Sequence, residues 1–139
     1  MHALGRQILV EFYGCNEEVL TDTERIRKTM LEGTRRSGAT LISDEFHTFS
    51  PHGVSGVVVI AESHVSIHTW PEFGYAAIDI FTCGETIDPW AVMRYLEAEF
   101  GASSISSMEL KRGLFPEAVA HELEEAVASD QADDGLKVY

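Results

Sequence analysis

Cysteine is nearly absent from this chain: only Cys15 and Cys83 occur among 139 residues. Two thiols so far apart in sequence give no disulfide framework, no CxxC pair and no zinc-ligand spacing, and free thiols fit a reducing compartment. Basic residues are also scarce, ten Lys plus Arg against 23 Asp plus Glu, for a net charge of -13. That balance argues against nucleic acid as a partner, because such affinity comes largely from neutralising phosphates with Lys and Arg. Long apolar runs are missing too. The longest aliphatic stretch, Val57 to Ala61, is far short of the roughly 20 residues that cross a bilayer. The opening MHALGRQILVEFYG has neither the basic segment nor the long apolar segment of a secretory signal. The expectation is a cytoplasmic protein with no membrane partner.

What is present is enough apolar sequence, 45%, for one compact domain with a real core. The acidic excess is uneven: residues 116–139 hold seven carboxylates against Lys137 alone, and residues 1–115 hold sixteen acids and nine bases. This divides the chain into an expected domain over 1–115 and an acidic tail over 116–139, where Val119, Leu123 and Val127 repeat at helical spacing. An acidic body can draw in a cationic small molecule, although its plainer use is a solubilising surface.

Periodicity predicts the elements. Gln7 to Tyr13 alternates Ile8, Val10 and Phe12 with Leu9, Glu11 and Tyr13, as a strand does. Thr21 or Asp22 can cap a helix whose Ile26, Met30 and Thr34 share a face, with Ser37-Gly38 as its stop. Strand-like runs follow at 39–49, 54–61, 64–70 and 75–82, punctuated by Pro51, Gly53, Pro71 and Gly74. Asp88-Pro89 then starts a helix in which Trp90, Met93, Leu96 and Phe100 form a stripe that ends at Gly101. A last strand runs through 103–111. Strand, helix, strands, helix, strand implies an α+β fold: a two-layer sandwich of a mainly antiparallel sheet with two helices on one face. Nothing else in the chain is long enough to cover the other face, which predicts an identical partner and a two-fold homodimer.

Chemistry concentrates in Ala61 to Glu72, AESHVSIHTWPE, which packs two carboxylates, two serines, two histidines, a threonine and a tryptophan after an aliphatic strand. Alternation would send His64, Ser66 and His68 to one face and Ser63, Val65 and Ile67 to the other. A half-exposed strand with polar residues turned to water accounts for any one of these residues. The cluster, with Gly-Val-Ser-Gly at 53–56 and Thr-Cys-Gly at 82–84 nearby, points to a site but names no reaction.

From Gly5-Arg6 through GVSGVVVIAESHVSIHTWPE, GYAAIDIFTCG and DPWAVMRYL to Lys111-Arg112-Gly113, the chain resembles the prokaryotic S-adenosylmethionine decarboxylase proenzymes of the pyruvoyl-dependent class. The resemblance implies self-cleavage between Glu62 and Ser63. Ser63 attacks the preceding carbonyl, Ser55 steadies the oxyanion, and His68 takes the Cα proton of residue 63. The products are a β chain of residues 1–62 and an α chain of residues 63–139 that begins with a pyruvoyl cofactor made from Ser63. That group accepts the substrate amine and the electron pair left when carbon dioxide departs, and Cys83 returns a proton to the substrate carbon. The family likewise implies adenine held between Phe49 and Trp70, and ribose hydroxyls held by Glu72. A π-face suits a purine or a sulfonium, and a carboxylate accepts from two hydroxyls. The product serves aminopropyl donation in spermidine biosynthesis, the assembly is a dimer with residues of both subunits in each site, and no metal takes part.

Without the resemblance, Phe49 reads as core, Trp70 as an interface anchor and Cys83 as a small buried hydrophobe. Glu11 is a weaker candidate near the site, and His47, His52 and His64 read as surface or structural. A related pyruvoyl decarboxylase acting on arginine or ornithine is the nearest alternative, although a small amino acid needs no pair of stacking rings. An alternative from another class is a metal-binding protein using His64, His68 and Cys83. The acidic tail departs from the family pattern and carries none of the matched residues.

Overall fold

The computed structural model describes residues 2–117 together with 119, 121, 122, 125 and 126. In chain order the elements are β1 (His2–Tyr13), α1 (Glu17–Thr21), α2 (Thr23–Arg36), β2 (Leu41–Thr48), β3 (Val54–Ile60), β4 (Ser63–Trp70), a 3₁₀ turn (Pro71–Phe73), β5 (Tyr75–Cys83), α3 (Pro89–Phe100) and β6 (Ser104–Phe115). Side-chain caps start the two long helices at the expected places. Asp22 accepts from the Arg25 N–H at 3.1 Å, and Asp88 accepts from the Trp90 N–H at 3.0 Å with Pro89 following it. Gly101, at φ 65°, closes α3 in the left-handed conformation that glycine adopts without cost.

The six strands form one sheet in the order β2-β3-β4-β5-β1-β6, and all five pairings are antiparallel. Four of the strands send alternate residues to one layer. Ile8, Val10 and Phe12 of β1, Val54, Val58 and Ile60 of β3, Val65 and Ile67 of β4, and Ile78 and Ile80 of β5 are buried with Ile26 and Met30 of α2 and Val92, Leu96 and Phe100 of α3. The expected α+β sandwich is what forms. One addition is the short helix α1, started by Asn16, whose side chain accepts from the N–H groups of Glu18 and Val19. The register sets the other face of the sheet as Leu9 beside Asp79 and Met108, and Ser66 beside Val57. No described helix covers it, and Leu9, Met108 and Leu110 are exposed there. No described helix is long and apolar enough to cross a membrane. Of the helical repeat expected in the tail, Leu123 and Val127 lie outside the described residues.

Candidate functional site

The β3–β4 connection is only two residues, Ala61 and Glu62, because Ile60 pairs with Ser63. Two-residue hairpins favour turns with positive φ, supplied by glycine or asparagine. Neither occurs here. The positive φ falls instead on Ser63, at 139°, the one non-glycine residue with positive φ among the described residues. Such a conformation costs of order 1–3 kcal/mol and persists only where neighbours enforce it. Along β4, Val65 and Ile67 are fully buried, whereas Ser63 is only partly so.

Neighbours grip the residue before it, Glu62, from both sides. The Glu62 carbonyl oxygen accepts from the Cys83 N–H at 2.8 Å, and the Glu62 carboxylate accepts from Thr40. Cys83 is thus placed beside the Glu62–Ser63 bond, with its thiol free and partly exposed. Cys15, by contrast, is buried, and burial pushes its thiol up to about 11, which makes it an unreactive packing residue. Opposite Ser63 in the register lies Thr82, whose hydroxyl is buried with no hydrogen-bond partner. An unmet buried hydroxyl is costly, so its presence beside Ser63 marks a place where packing alone does not set the sequence.

Ser55 and His68 are brought together elsewhere. They face each other across β3 and β4, with Ser55 Oγ 2.7 Å from His68 Nδ1. His68 lies five positions beyond Ser63 on the same strand, which at about 3.3 Å per residue separates them by about 16 Å. One chain therefore holds the candidate residues in two groups: Glu62, Ser63 and Cys83 at one end of β4, and Ser55 and His68 toward the other.

The remaining expected residues cluster near the His68 group. The Phe49 N–H donates to the Gly53 carbonyl at 2.8 Å, which closes a tight loop ahead of β3. The Val54 N–H donates to Thr69 Oγ1 at 2.9 Å and sets that loop beside the end of β4. Phe49 and Trp70 are both exposed aromatic rings, and Glu72 pairs with His52 at 2.7 Å, so His52 steadies a candidate ligand-binding carboxylate instead of idling at the surface. Tyr75 packs between Trp70 and Tyr13, with ring centroids 5.3 and 5.5 Å away. Its hydroxyl donates to Glu11. Burial and that carboxylate raise the Tyr75 phenol to about 12, so it stays a donor and holds Glu11 at this end of the sheet.

Asp79, which sequence reasoning missed, centres a polar network on the uncovered face. Its carboxylate accepts from Gln7 Nε2 at 2.8 Å, meets His64 Nε2 at 2.8 Å and accepts from the Ser66 hydroxyl. Burial pushes its pKa up, but the bonds from Ser66, His64 and Gln7 outweigh this and leave it below the usual aspartate value. A carboxylate depressed in the folded state contributes stability above its unfolded pKa and loses it as pH falls through the folded value. Asp79→Asn should therefore lower the urea midpoint at neutral pH by an amount worth about 1–3 kcal/mol, and the deficit should shrink as both proteins are taken below about pH 4. Urea titrations at several pH values would check this. The signal for Asp79 was available, since a carboxylate between buried Ile78 and Ile80 must point off the core.

Known proteins resemble this arrangement over nearly the whole described chain. A model of the S-adenosylmethionine decarboxylase family matches residues 6–113. The chain belongs to the S-adenosylmethionine decarboxylase family. An S-adenosylmethionine decarboxylase proenzyme of Caldicellulosiruptor saccharolyticus is 56% identical over 119 residues, covering 86% of this chain and 96% of the relative. One from Carboxydothermus hydrogenoformans is 52% identical over 120 residues, covering 86% and 94%. The crystal structure of adenosylmethionine decarboxylase from Aquifex aeolicus superposes with a TM-score of 0.79 at 35% identity, over 84% of this chain and 97% of that one.

As a member of the S-adenosylmethionine decarboxylase family the chain is an enzyme, a decarboxylase made as a proenzyme, and the family expected from its motifs is the family found. The metal-binding alternative gains nothing from the geometry. No group of three or more His, Cys, Asp or Glu among the described residues could hold a metal ion, and His64 and His68 are engaged with Asp79 and Ser55 instead.

Proposed function

We infer that this proenzyme splits itself between Glu62 and Ser63 and then releases carbon dioxide from S-adenosylmethionine, leaving S-adenosylmethioninamine for aminopropyl transfer. The observation that carries the reading is the condition of that one peptide bond. Its serine sits at φ 139°, and its carbonyl oxygen already accepts an N–H, from Cys83, at 2.8 Å. Ser63 Oγ adds to the Glu62 carbonyl carbon, the C–N bond breaks as the nitrogen takes a proton, and the peptide becomes an ester. The Cys83 N–H points at the oxygen where negative charge collects during that shift. His68 takes the Cα proton of residue 63, the bond from its Cβ to the ester oxygen breaks, and Glu62 leaves as the carboxylate end of the 1–62 chain. Water then replaces the nitrogen of the dehydroalanine, releasing ammonia.

The residues fit the pyruvoyl group that would result, with Cys83 and the unmet Thr82 hydroxyl beside its position. When formed, that group supplies a keto carbon for the substrate amine and a carbonyl that receives the electron pair freed by decarboxylation. Cys83 holds the proton that goes back to the substrate carbon. Phe49 and Trp70 offer π-faces to the adenine and Glu72 offers its carboxylate to the ribose hydroxyls, which favours a nucleoside over arginine or ornithine.

Ser55 and His68 lie too far from Ser63 in one chain to serve it, and the face that bears them is uncovered. Both facts support a two-fold homodimer in which His68 and Ser55 of one copy complete the site at Ser63 of the other. The catalytic unit is residues 1–115, with 116–139 an acidic tail outside it, in a cytoplasmic enzyme. Mass spectrometry of the denatured, purified protein tests the reading: two fragments, 1–62 and 63–139, are expected, and a folded protein that stays at 15.4 kDa overturns it. Carbon dioxide release from S-adenosylmethionine, compared with arginine and ornithine, tests the substrate.

A further inference from the structure

We propose that Thr40 is a positioning residue for self-cleavage, gripping Glu62 so that the turn ahead of Ser63 cannot relax. The inference rests on the reading of Glu62–Ser63 as the cleavage point. A two-residue turn is ordinarily the softest part of a hairpin, but this one is tied at the Ala61 N–H, the Glu62 carboxylate and the Glu62 carbonyl. The Ala61 N–H donates to the Thr40 carbonyl at 3.0 Å. The Thr40 N–H donates back to both Glu62 carboxylate oxygens, at 3.3 and 3.2 Å, and its hydroxyl donates to Oε1 at 3.3 Å. On the far side the Glu62 carbonyl is held by the Cys83 N–H.

Glu62 is 6% exposed, which is unusual for a glutamate in a turn met by uncharged donors. Placing a carboxylate there has a desolvation cost. Its effect is to fix Ala61 and Glu62 between the start of β2 and the end of β5, so that the conformational misfit of an Ala-Glu turn is forced onto Ser63. Strain of that kind survives only where the surroundings over-determine it. With the Thr40 grip removed the turn gains freedom, Ser63 can return to negative φ, and its oxygen loses the approach to the Glu62 carbonyl carbon.

The test follows the conversion of freshly synthesised proenzyme into fragments by denaturing mass spectrometry. Glu62→Ala, which leaves Thr40 nothing to hold, should slow cleavage about tenfold or more, and Thr40→Val, which removes only the hydroxyl, about threefold. Glu62→Gln keeps an acceptor oxygen for the Thr40 N–H and should cleave within about threefold of wild type, and Thr40→Ser should restore the full rate. The two near-isosteric variants, compared at matched thermal midpoints, guard against a simple loss of folding. Wild-type speed in Glu62→Ala, or Glu62→Gln as slow as Glu62→Ala, overturns the role of the grip. An uncleaved wild type, or cleavage surviving Ser63→Ala, instead overturns the underlying reading.

Discussion

Ser63→Ala should give a chain that remains whole at 15.4 kDa after days in solution and releases no carbon dioxide from S-adenosylmethionine. The expected loss is complete, because the substitution removes both the nucleophile that opens the peptide bond and the atom framework from which the prosthetic group is made. It is also a clean change. Alanine keeps the Cβ that makes φ 139° unfavourable, so the strain at residue 63, and with it the stability of the turn, is nearly unaltered while the hydroxyl alone disappears. Folding should therefore match that of a wild-type proenzyme caught before cleavage. Ser63→Thr gives a graded companion result: the hydroxyl remains, but a β-branched residue tolerates positive φ poorly, so slower cleavage and a lower thermal midpoint are expected together. Fragments appearing from Ser63→Ala at the wild-type boundary would remove Ser63 from the mechanism.

The helices and strands were legible because they depend on local chemistry. Asp22, Asp88, Pro89 and Gly101 cap as their residue types predict, and period-two alternation found the strands from Gln7 onward. Short α1 also had its signal, Asn16 followed by two glutamates, a cap with an acidic first turn. Strand ends were less legible because pairing decides them. β1 reaches back to His2 and β6 runs on to Phe115 since each supplies the other's hydrogen bonds, although Gly5 and Gly113 weaken both runs as isolated patterns.

The site was legible in its residue types and not in its grouping. The family resemblance implied Ser55, Ser63, His68 and Cys83 as partners in one reaction, whereas register puts Cys83 at the Glu62–Ser63 bond and Ser55 with His68 farther along β4. Thr40 and Asp79 were missed, and His52 was read only as surface or structural, because their partners Glu62, Gln7 and Glu72 are 22, 72 and 20 positions away in sequence, contacts that only the folded register creates. The φ of Ser63 could not be placed from the sequence, because the turn is defined only once Ile60 is seen to pair with Ser63. It arises from the absence of glycine in a turn that calls for one.

That separation of the two groups sets the second large effect. Ser63→Ala and His68→Ala should each be inactive alone, and neither chain should cleave by the proposed route. Co-expressed, they should recover activity. In a mixed dimer, the His68→Ala chain still offers an intact Ser63, and the Ser63→Ala chain still offers an intact His68, so one of the two sites has both groups and the other has neither. With random pairing half the dimers are mixed, which gives about one quarter of the wild-type sites. Mass spectrometry adds a sharper readout than activity: only the His68→Ala chain should appear as fragments, in about half of its copies, and the Ser63→Ala chain should stay whole. If Ser63 and His68 acted within one chain, across the roughly 16 Å that β4 puts between them, every site in the mixture would lack one group and co-expression would restore nothing. A co-expressed pair as dead as its members would thus reject the shared site, and cleavage confined to the His68→Ala chain would fix which residues each subunit lends.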